Sequence, residues 1–383
     1  MTSVSGKDIF IFNSASGKKE KFVPVNPGKV GMYVCGPTVY DYIHIGNARP
    51  LIVFDVIRKY FEYLGYEVNF VQNITDIDDK IIKKSNEEGV SASEIAEKYT
   101  AAFYENAKYL GVEKPDNDPR ATAYIDQMIG LISRLIDNGF AYEAEGNVFF
   151  EVGKFEEYGR FSGKDLAGME IGERVDEQIR RQKRDSVRDF ALWKTAKPDE
   201  PKWDSPWGEG RPGWHTECVV MSTHILGNEF DIHGGGVDLI FPHHENEIAQ
   251  ARCGSEAPFA RFWIHNEFLS FKGEKMAKSV GNVVLVNDLA QKYPKEAVRL
   301  FFLQTHYRKQ ITFDEEYLDN VKSAVERIYR ILQQINFALN APGTDILEKQ
   351  FENEPEDDDV RQCKENIINA MNDDFNTAKA LGA

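Results

Sequence analysis

The chain has 383 residues, 42% hydrophobic and 12% aromatic, which suits two or three packed domains and excludes extended disorder. Its net charge of −16 weighs against broad non-specific binding to nucleic acid but not against a local basic patch, and no apolar run is long enough to cross a bilayer. Residues Met1 to Asp8 lack the apolar stretch of a secretion signal, and the four cysteines are scattered, which argues against a disulfide framework and permits metal ligation, so the expected location is the cytoplasm.

Lys29 to Cys35 reads as a buried strand, followed by a loop rich in Gly, Pro and aromatics. From Ala48 the pattern is helical, with Val53, Phe54, Ile57, Phe61 and Leu64 on one face and Gly65 as the stop. Glu67 to Asn73 reads as a second strand. Ser91 and Glu94 form a capping-box pattern opening another helix, and Ile125, Met128, Ile129, Ile132, Leu135 and Ile136 mark a further one closed by Gly139. Strand, helix, strand, helix predicts an α/β fold with a parallel sheet. Tyr142 to Val152 reads as a hairpin turning at Gly146-Asn147, and Lys154 to Asp185 is polar and irregular, an inserted element. The strand pattern returns at Phe230 to His233, with a loop at Gly234–Gly236 and a helix near Pro242 to Arg252. Leu318, Val321, Val325, Ile328, Leu332, Ile335 and Leu339 make a heptad seam of a bundle or coiled coil, and Glu354 to Asp359 reads as a solvated loop. The expectation is a split Rossmann-like parallel sheet with an inserted connective element and a C-terminal α-helical bundle region.

The segment from Cys35 to Asn47 lies between a strand and a helix, where open α/β sheets bind ligands and a helix N-terminus offers N–H groups to phosphate. His44 and Asn47 can donate to charge developing there, and Gly46 lets a flat ring lie against the backbone. A loop histidine satisfied by the backbone fits the same spacing. Lys275-Met276-Ala277-Lys278-Ser279, flanked by Gly273 and Gly281, can close two lysines over a pyrophosphate, or can be a solvated turn. His243 and Glu247 lie four apart on the expected helix and point the same way; with Cys35 and Cys218 they form an acceptable zinc set. On residues alone, the cysteines also read as small buried hydrophobes and His243 as a satisfied core histidine.

His44-Ile45-Gly46-Asn47 resembles the HIGH signature of class I aminoacyl-tRNA synthetases, and Lys275 to Ser279 resembles their KMSKS signature, in the same order. Asn47 stands where the usual motif has a second His, and Ala277 where it has Ser. Asn still donates a hydrogen bond and the lysines remain, so the phosphate role survives. Met32 to Asp41, Gly210 to Cys218 and His233 to Glu247 look like three blocks of the cysteinyl branch, and the resemblance runs from about Ile9 to the end.

The resemblance implies ATP-dependent activation of L-cysteine and its transfer to tRNA(Cys). Zinc would be held by Cys35, Cys218, His243 and Glu247, with the substrate thiolate as a further bond. Magnesium would accompany ATP. His44, Asn47, Lys275 and Lys278 would stabilise the reacting phosphates; Thr38, Gly46, Gly235, Asp238 and Lys278 would bind the nucleotide; Thr75 and Trp214 would bind the amino acid. His244, Cys253 and Cys363 match no ligand position. The implied layout is a first catalytic half over 1–122, the insertion over 123–205, a second half over 206–265, the KMSKS and stem-contact region over 266–315, and the start of a helical domain over 316–383, truncated relative to the family. A monomer with no membrane contact is expected. The run Arg180 to Arg184 reads either as a contact to the acceptor stem or as a solvated stretch. An alternative of the same ancestry is a cysteine ligase with an amino-sugar acceptor, as in mycothiol-type biosynthesis; Met371 to Thr377, which resembles the helical domain, favours the synthetase.

Overall fold

The computed structural model describes residues 8–164, 189–198, 200–255, 258–271, 274–275, 283–340 and 357–383. Lys278, the Arg180–Arg184 run and most of the segment from Lys154 to Asp185 lie outside them.

An antiparallel hairpin, β1 (Phe10–Asn13) and β2 (Lys18–Lys21), opens the chain. Then come β3 (Lys29–Val34), α1 (Ile45–Tyr63), β4 (Glu67–Gln72), α2 (Asp79–Glu88), α3 (Ala92–Tyr109) and α4 (Ile125–Asp137). Helix α1 begins three residues before the expected Ala48, because His44 takes the N-cap position. The Ser91–Glu94 capping box opens α3 as the sequence suggests. Strands β5 (Ala141–Ala144), β6 (Asn147–Phe150), β7 (Phe190–Thr195) and β8 (Gly210–Pro212) form an antiparallel sheet in that order. The hairpin turns at Glu145-Gly146, with φ of 54° and 79°, rather than at Gly146-Asn147. Asn147 belongs to β6, where its Oδ1 accepts the Thr195 N–H at 2.9 Å, so it is not free to turn.

The second half of the main sheet follows: α5 (Trp214–Leu226), β9 (Glu229–Gly236), α6 (Glu245–Ser255) and β10 (Phe259–Asn266). The main sheet has the order β10-β9-β3-β4, every pair parallel. Both faces are covered, as parallel sheets require. Val30, Met32 and Val34 pack with Val53, Phe54, Ile57 and Phe61 of α1. The alternate residue Tyr33 packs with Cys218 and Val219 of α5 on the other face.

The Gly234–Gly236 run corrects the sequence reading: it is strand, not loop. A Cβ on Gly234 would stand 2.3 Å from the Phe54 ring, so glycine there lets α1 lie close on the sheet. The helix expected from Pro242 starts at Glu245, and His243 sits in an irregular turn before it, with Phe241 in extended conformation.

Beyond lie β11 (Leu269–Phe271), β12 (Glu274–Lys275), α7 (Val286–Lys292), α8 (Lys295–Leu303), β13 (Ile311–Phe313), α9 (Glu315–Leu339) and α10 (Asp358–Asn372). The heptad seam is only half realised. Leu318, Val321 and Val325 are buried on α8 and its surroundings, whereas Ile328, Leu332, Ile335 and Leu339 are about half exposed among the described residues. The acidic run is also not all loop: Asp357 caps α10 by accepting the Asp359 N–H at 2.7 Å, and acidic residues in a first turn suit the helix dipole. Asp374, 1% exposed, ties the end of the chain to its start, accepting from Phe12 N–H, Tyr307 and Arg308 at 2.9, 2.6 and 2.7 Å.

Candidate functional site

Val34 and Gly236 end their strands on the same edge of the sheet, and the chain beyond each supplies the functional groups. A cavity of about 370 Å3 opens there, lined by Cys35, Thr38, His44, Gly46, Asn47, Trp214, Gly235 and Asp238. Cys35 and Trp214 form its floor toward the cysteine cluster.

Cys35 follows β3 and is held by its N–H to the Gly234 carbonyl at 3.1 Å. Cys218 lies on α5, Glu247 on α6, and His243 just before α6. One donor atom from each of Cys35, Cys218, His243 and Glu247 lies within 4.8 Å of the other three. A tetrahedral ion with metal–sulfur bonds of about 2.3 Å and metal–nitrogen bonds of about 2.0 Å spaces sulfur from sulfur by about 3.7 Å and sulfur from nitrogen by about 3.5 Å. The observed spacings are 3.7 Å between the Cys35 and Cys218 sulfurs and 3.5 Å from Cys218 Sγ to His243 Nε2. His243 Nε2 and Glu247 Oε1 stand at 2.9 Å, an ion-pair distance that opens by a few tenths of an ångström, roughly, to admit an ion. The donor set therefore fits a zinc ion in chemistry and spacing.

A second set, Cys35, His233, His244 and Glu247, also converges within 4.8 Å. His244 Nε2 is 3.3 Å from the Cys35 sulfur, and its other ring nitrogen meets His265 at 2.8 Å. His233 Nε2 meets Glu247 Oε2 at 2.7 Å, so Glu247 is clasped by one histidine on each oxygen. Cys253 is buried in the core, where burial pushes its thiol up to about 12, and Cys363 lies on α10; neither joins a group of metal-binding side chains among the described residues.

The electrostatics follow from burial and pairing. Burial alone would raise Cys218, yet the Cys35 hydrogen bond and the His243 imidazole bring it down to about 6. Burial and the adjacent Cys218 push Cys35 well up. Burial would lower His243, but the Glu247 carboxylate carries it up to about 10. Burial opposes ionisation of Glu247 too, and His233 and His243 hold it well below the usual carboxylate range. His215 and His244 are kept neutral, chiefly by burial.

At the other side of the cavity, His44 caps α1 and its backbone N–H donates to Asn47 Oδ1 at 3.1 Å. That contact fixes the Asn47 amide with its NH2 as the remaining donor. Trp214 stacks on His243 with ring centroids 4.1 Å apart. Thr75 stands behind the cavity wall: its hydroxyl donates to Glu217 at 2.8 Å and accepts from Asn73 at 3.2 Å. Lys275 enters as backbone of β12, which pairs with β11, and Lys278 is outside the described residues.

Sequence reasoning passed over His233, His265, Asn73 and Glu217. Asn73 Oδ1 accepts the Gly36 N–H at 2.8 Å and so joins the loop after β3 to the chain after β4. The available signal was the density of His and Glu inside the three quoted blocks, which exceeded what four ligands require.

Comparison with known proteins bears on the whole chain. The catalytic-domain model of the class I (C) tRNA synthetases matches residues 21–323. A cysteine-tRNA ligase of Carboxydothermus hydrogenoformans is 48% identical over 373 residues, covering 97% of this chain and 78% of that protein. One from Thermodesulfovibrio yellowstonii is 50% identical over 380 residues, covering 97% and 76%. Among solved structures, a Mycobacterium tuberculosis methionyl-tRNA synthetase in complex with methionyl-adenylate superposes with a TM-score of 0.67 at 16% identity, over 92% of this chain and 81% of that one, a likeness of fold.

Proposed function

Since the chain belongs to the cysteine-tRNA ligases of the class I tRNA synthetases and so joins cysteine to tRNA at the expense of ATP, we propose that it selects cysteine through zinc held by Cys35, Cys218, His243 and Glu247. The observation that carries this reading is the four-donor cluster at the floor of the cavity, reached through Cys35. The set with two sulfurs is preferred to the one containing His244, because a thiolate-rich site suits zinc and a sulfur substrate. A bound zinc would supply a soft Lewis acid that takes a thiolate in preference to a hydroxyl. A plain pocket separates near-isosteres such as cysteine and serine by only about 10²-fold.

The protein's own groups do the rest by alignment and charge. With the amino acid at the floor and the nucleotide along Thr38, Gly46, Gly235 and Asp238, the carboxylate faces the α-phosphate. It attacks in line; the bond to the bridging oxygen breaks, and pyrophosphate leaves with magnesium. The His44 imidazole and the Asn47 NH2 donate to the α-phosphate as charge builds, while Lys275 and Lys278 draw the leaving group away. Trp214 closes the amino-acid side, and Thr75 fixes its wall from behind. A ribose hydroxyl at the end of tRNA(Cys) then takes the acyl group and AMP departs. The reading includes a cytoplasmic monomer and catalytic halves over 1–122 and 206–265.

Pyrophosphate exchange with cysteine and with serine, before and after zinc removal by a chelator, tests it. The expected result is exchange with cysteine only, lost on chelation and restored by zinc. Full cysteine selectivity in a metal-free preparation overturns the zinc reading.

A further inference from the structure

The Tyr33 hydroxyl is fully buried, at 0% exposure, and has no hydrogen-bond partner among the described residues. Leaving a buried hydroxyl without a partner is costly, so its position calls for a partner that arrives. Tyr33 shares a strand face with Cys35, two residues on, and pairs in register with His233 of β9, their rings 5.2 Å apart. The ionisable groups that bear on its hydroxyl are Cys218, Cys35 and Glu247, and Tyr33 lies in one core cluster with Cys218 of α5.

The donors to Cys218 change when a metal binds. In the structure its sulfur is met by the Cys35 thiol at 3.7 Å and by His243 Nε2 at 3.5 Å. A ligating Cys35 has lost its proton, and a ligating His243 turns that nitrogen to the ion. The Asn73 oxygen, 3.9 Å away, can only accept. The Tyr33 O–H, buried in the same core cluster and without a partner among the described residues, is then a donor available to the Cys218 sulfur, and a charged sulfur is a far better acceptor than a thiol.

Resting on the zinc reading above, we propose that Tyr33 is a positioning residue for the metal: it donates its hydroxyl hydrogen bond to the Cys218 thiolate, drawing charge off that sulfur so that the ion keeps its affinity for a further thiolate, the substrate's. No proton changes owner in this arrangement.

The test is Tyr33→Phe, which removes one oxygen and keeps the ring. Chelator competition is expected to show zinc affinity falling by about 10- to 100-fold, as for other groups that hold metal ligands in place. In the cobalt-substituted protein the sulfur-to-cobalt charge-transfer band is expected to move to lower energy, since a thiolate without its hydrogen bond gives up charge more easily. The metal-free variant is expected to melt no lower than the metal-free parent. Unchanged affinity with an unmoved band overturns the proposal, and so does a lower metal-free melting point with unchanged affinity, which assigns Tyr33 to packing alone. A parent protein that takes up neither zinc nor cobalt overturns the zinc reading itself, a result distinct from either.

Discussion

The two ends of the cavity are built on opposite principles. At the floor, Cys218, His243 and Glu247 are at most 1% exposed, and each is already gripped by another member of the cluster or by a flanking histidine. At the mouth, His44 is half-buried, Asn47 is exposed, and the nearby cation Lys80 is exposed with its ammonium over the Tyr40 ring at 5.3 Å. A buried polar network is worth having only when fully satisfied, so the floor is assembled before substrate arrives. Groups that must follow a moving charge are better left near solvent, in reach of a ligand. The contrast accords with the proposed division, selection at the floor and activation at the mouth.

The largest effect should come from breaking the floor. Cys218→Ser removes one of the two sulfur donors of the proposed site. Zinc content by atomic absorption is expected to fall to traces, and the cysteine-over-serine preference in pyrophosphate exchange to about 10² or less. Retained zinc with retained preference would mean that the His233 and His244 set holds the metal instead.

Next comes the mouth. If His44 donates to the phosphates as proposed, His44→Ala is expected to lower kcat for exchange by about 10²- to 10³-fold. Zinc content and KM for cysteine should hold steady, because the cluster is held by contacts among Cys35, Cys218, His243, Glu247 and the flanking His233. A large rise in KM for cysteine would show that the two ends are not separable.

Gly234→Ala probes the wall between them. The new methyl meets the Phe54 ring at 2.3 Å, and Phe54 is 1% exposed in the core beneath α1, with nowhere to turn. Overpacking of this kind costs about 1–3 kcal/mol, read as a shifted denaturation midpoint. Because α1 carries His44 at its cap and the Gly234 carbonyl holds Cys35, activity should fall more than stability alone explains.

What the sequence made legible was whatever depends on periodicity or on a short ordered block. The alternation of strand and helix foretold the parallel sheet, and the three blocks placed Cys35, Cys218, His243 and Glu247 in one cluster although they lie far apart in the chain. What stayed hidden depends on three-dimensional neighbours. Nothing local distinguishes a glycine run in a loop from one in a strand; the Phe54 ring of α1, packed on the sheet, decides it. The hairpin turn shifted by one residue because Asn147 is claimed by Thr195 on β7, far along the chain. The heptad seam on α9 was visible in the sequence, but its burial depends on what lies against it, and that is settled only as far as Val325.

The smallest effect is expected from Asn47→His, which sharpens the comparison from the tolerant side. Asn47 does two things: its Oδ1 accepts the His44 N–H at 3.1 Å, and its NH2 is left as a donor. Histidine can do both, with Nδ1 accepting and Nε2–H donating. Its position is exposed, so the larger ring meets solvent and not the core. Exchange at pH 8 should therefore change by less than about tenfold, far less than for His44→Ala. The variant should differ from the parent in one further respect. An amide does not titrate, whereas an exposed imidazole has a pKa of about 6.5. Below that pH the ring is protonated, so Nδ1 can no longer accept the His44 N–H, while the cation is drawn toward phosphate. The ratio of variant to parent activity should bend near pH 6.5. A flat ratio from pH 5.5 to 8.5 would show that this side chain does not reach the reacting phosphates, and would leave His44 to act at the mouth without it.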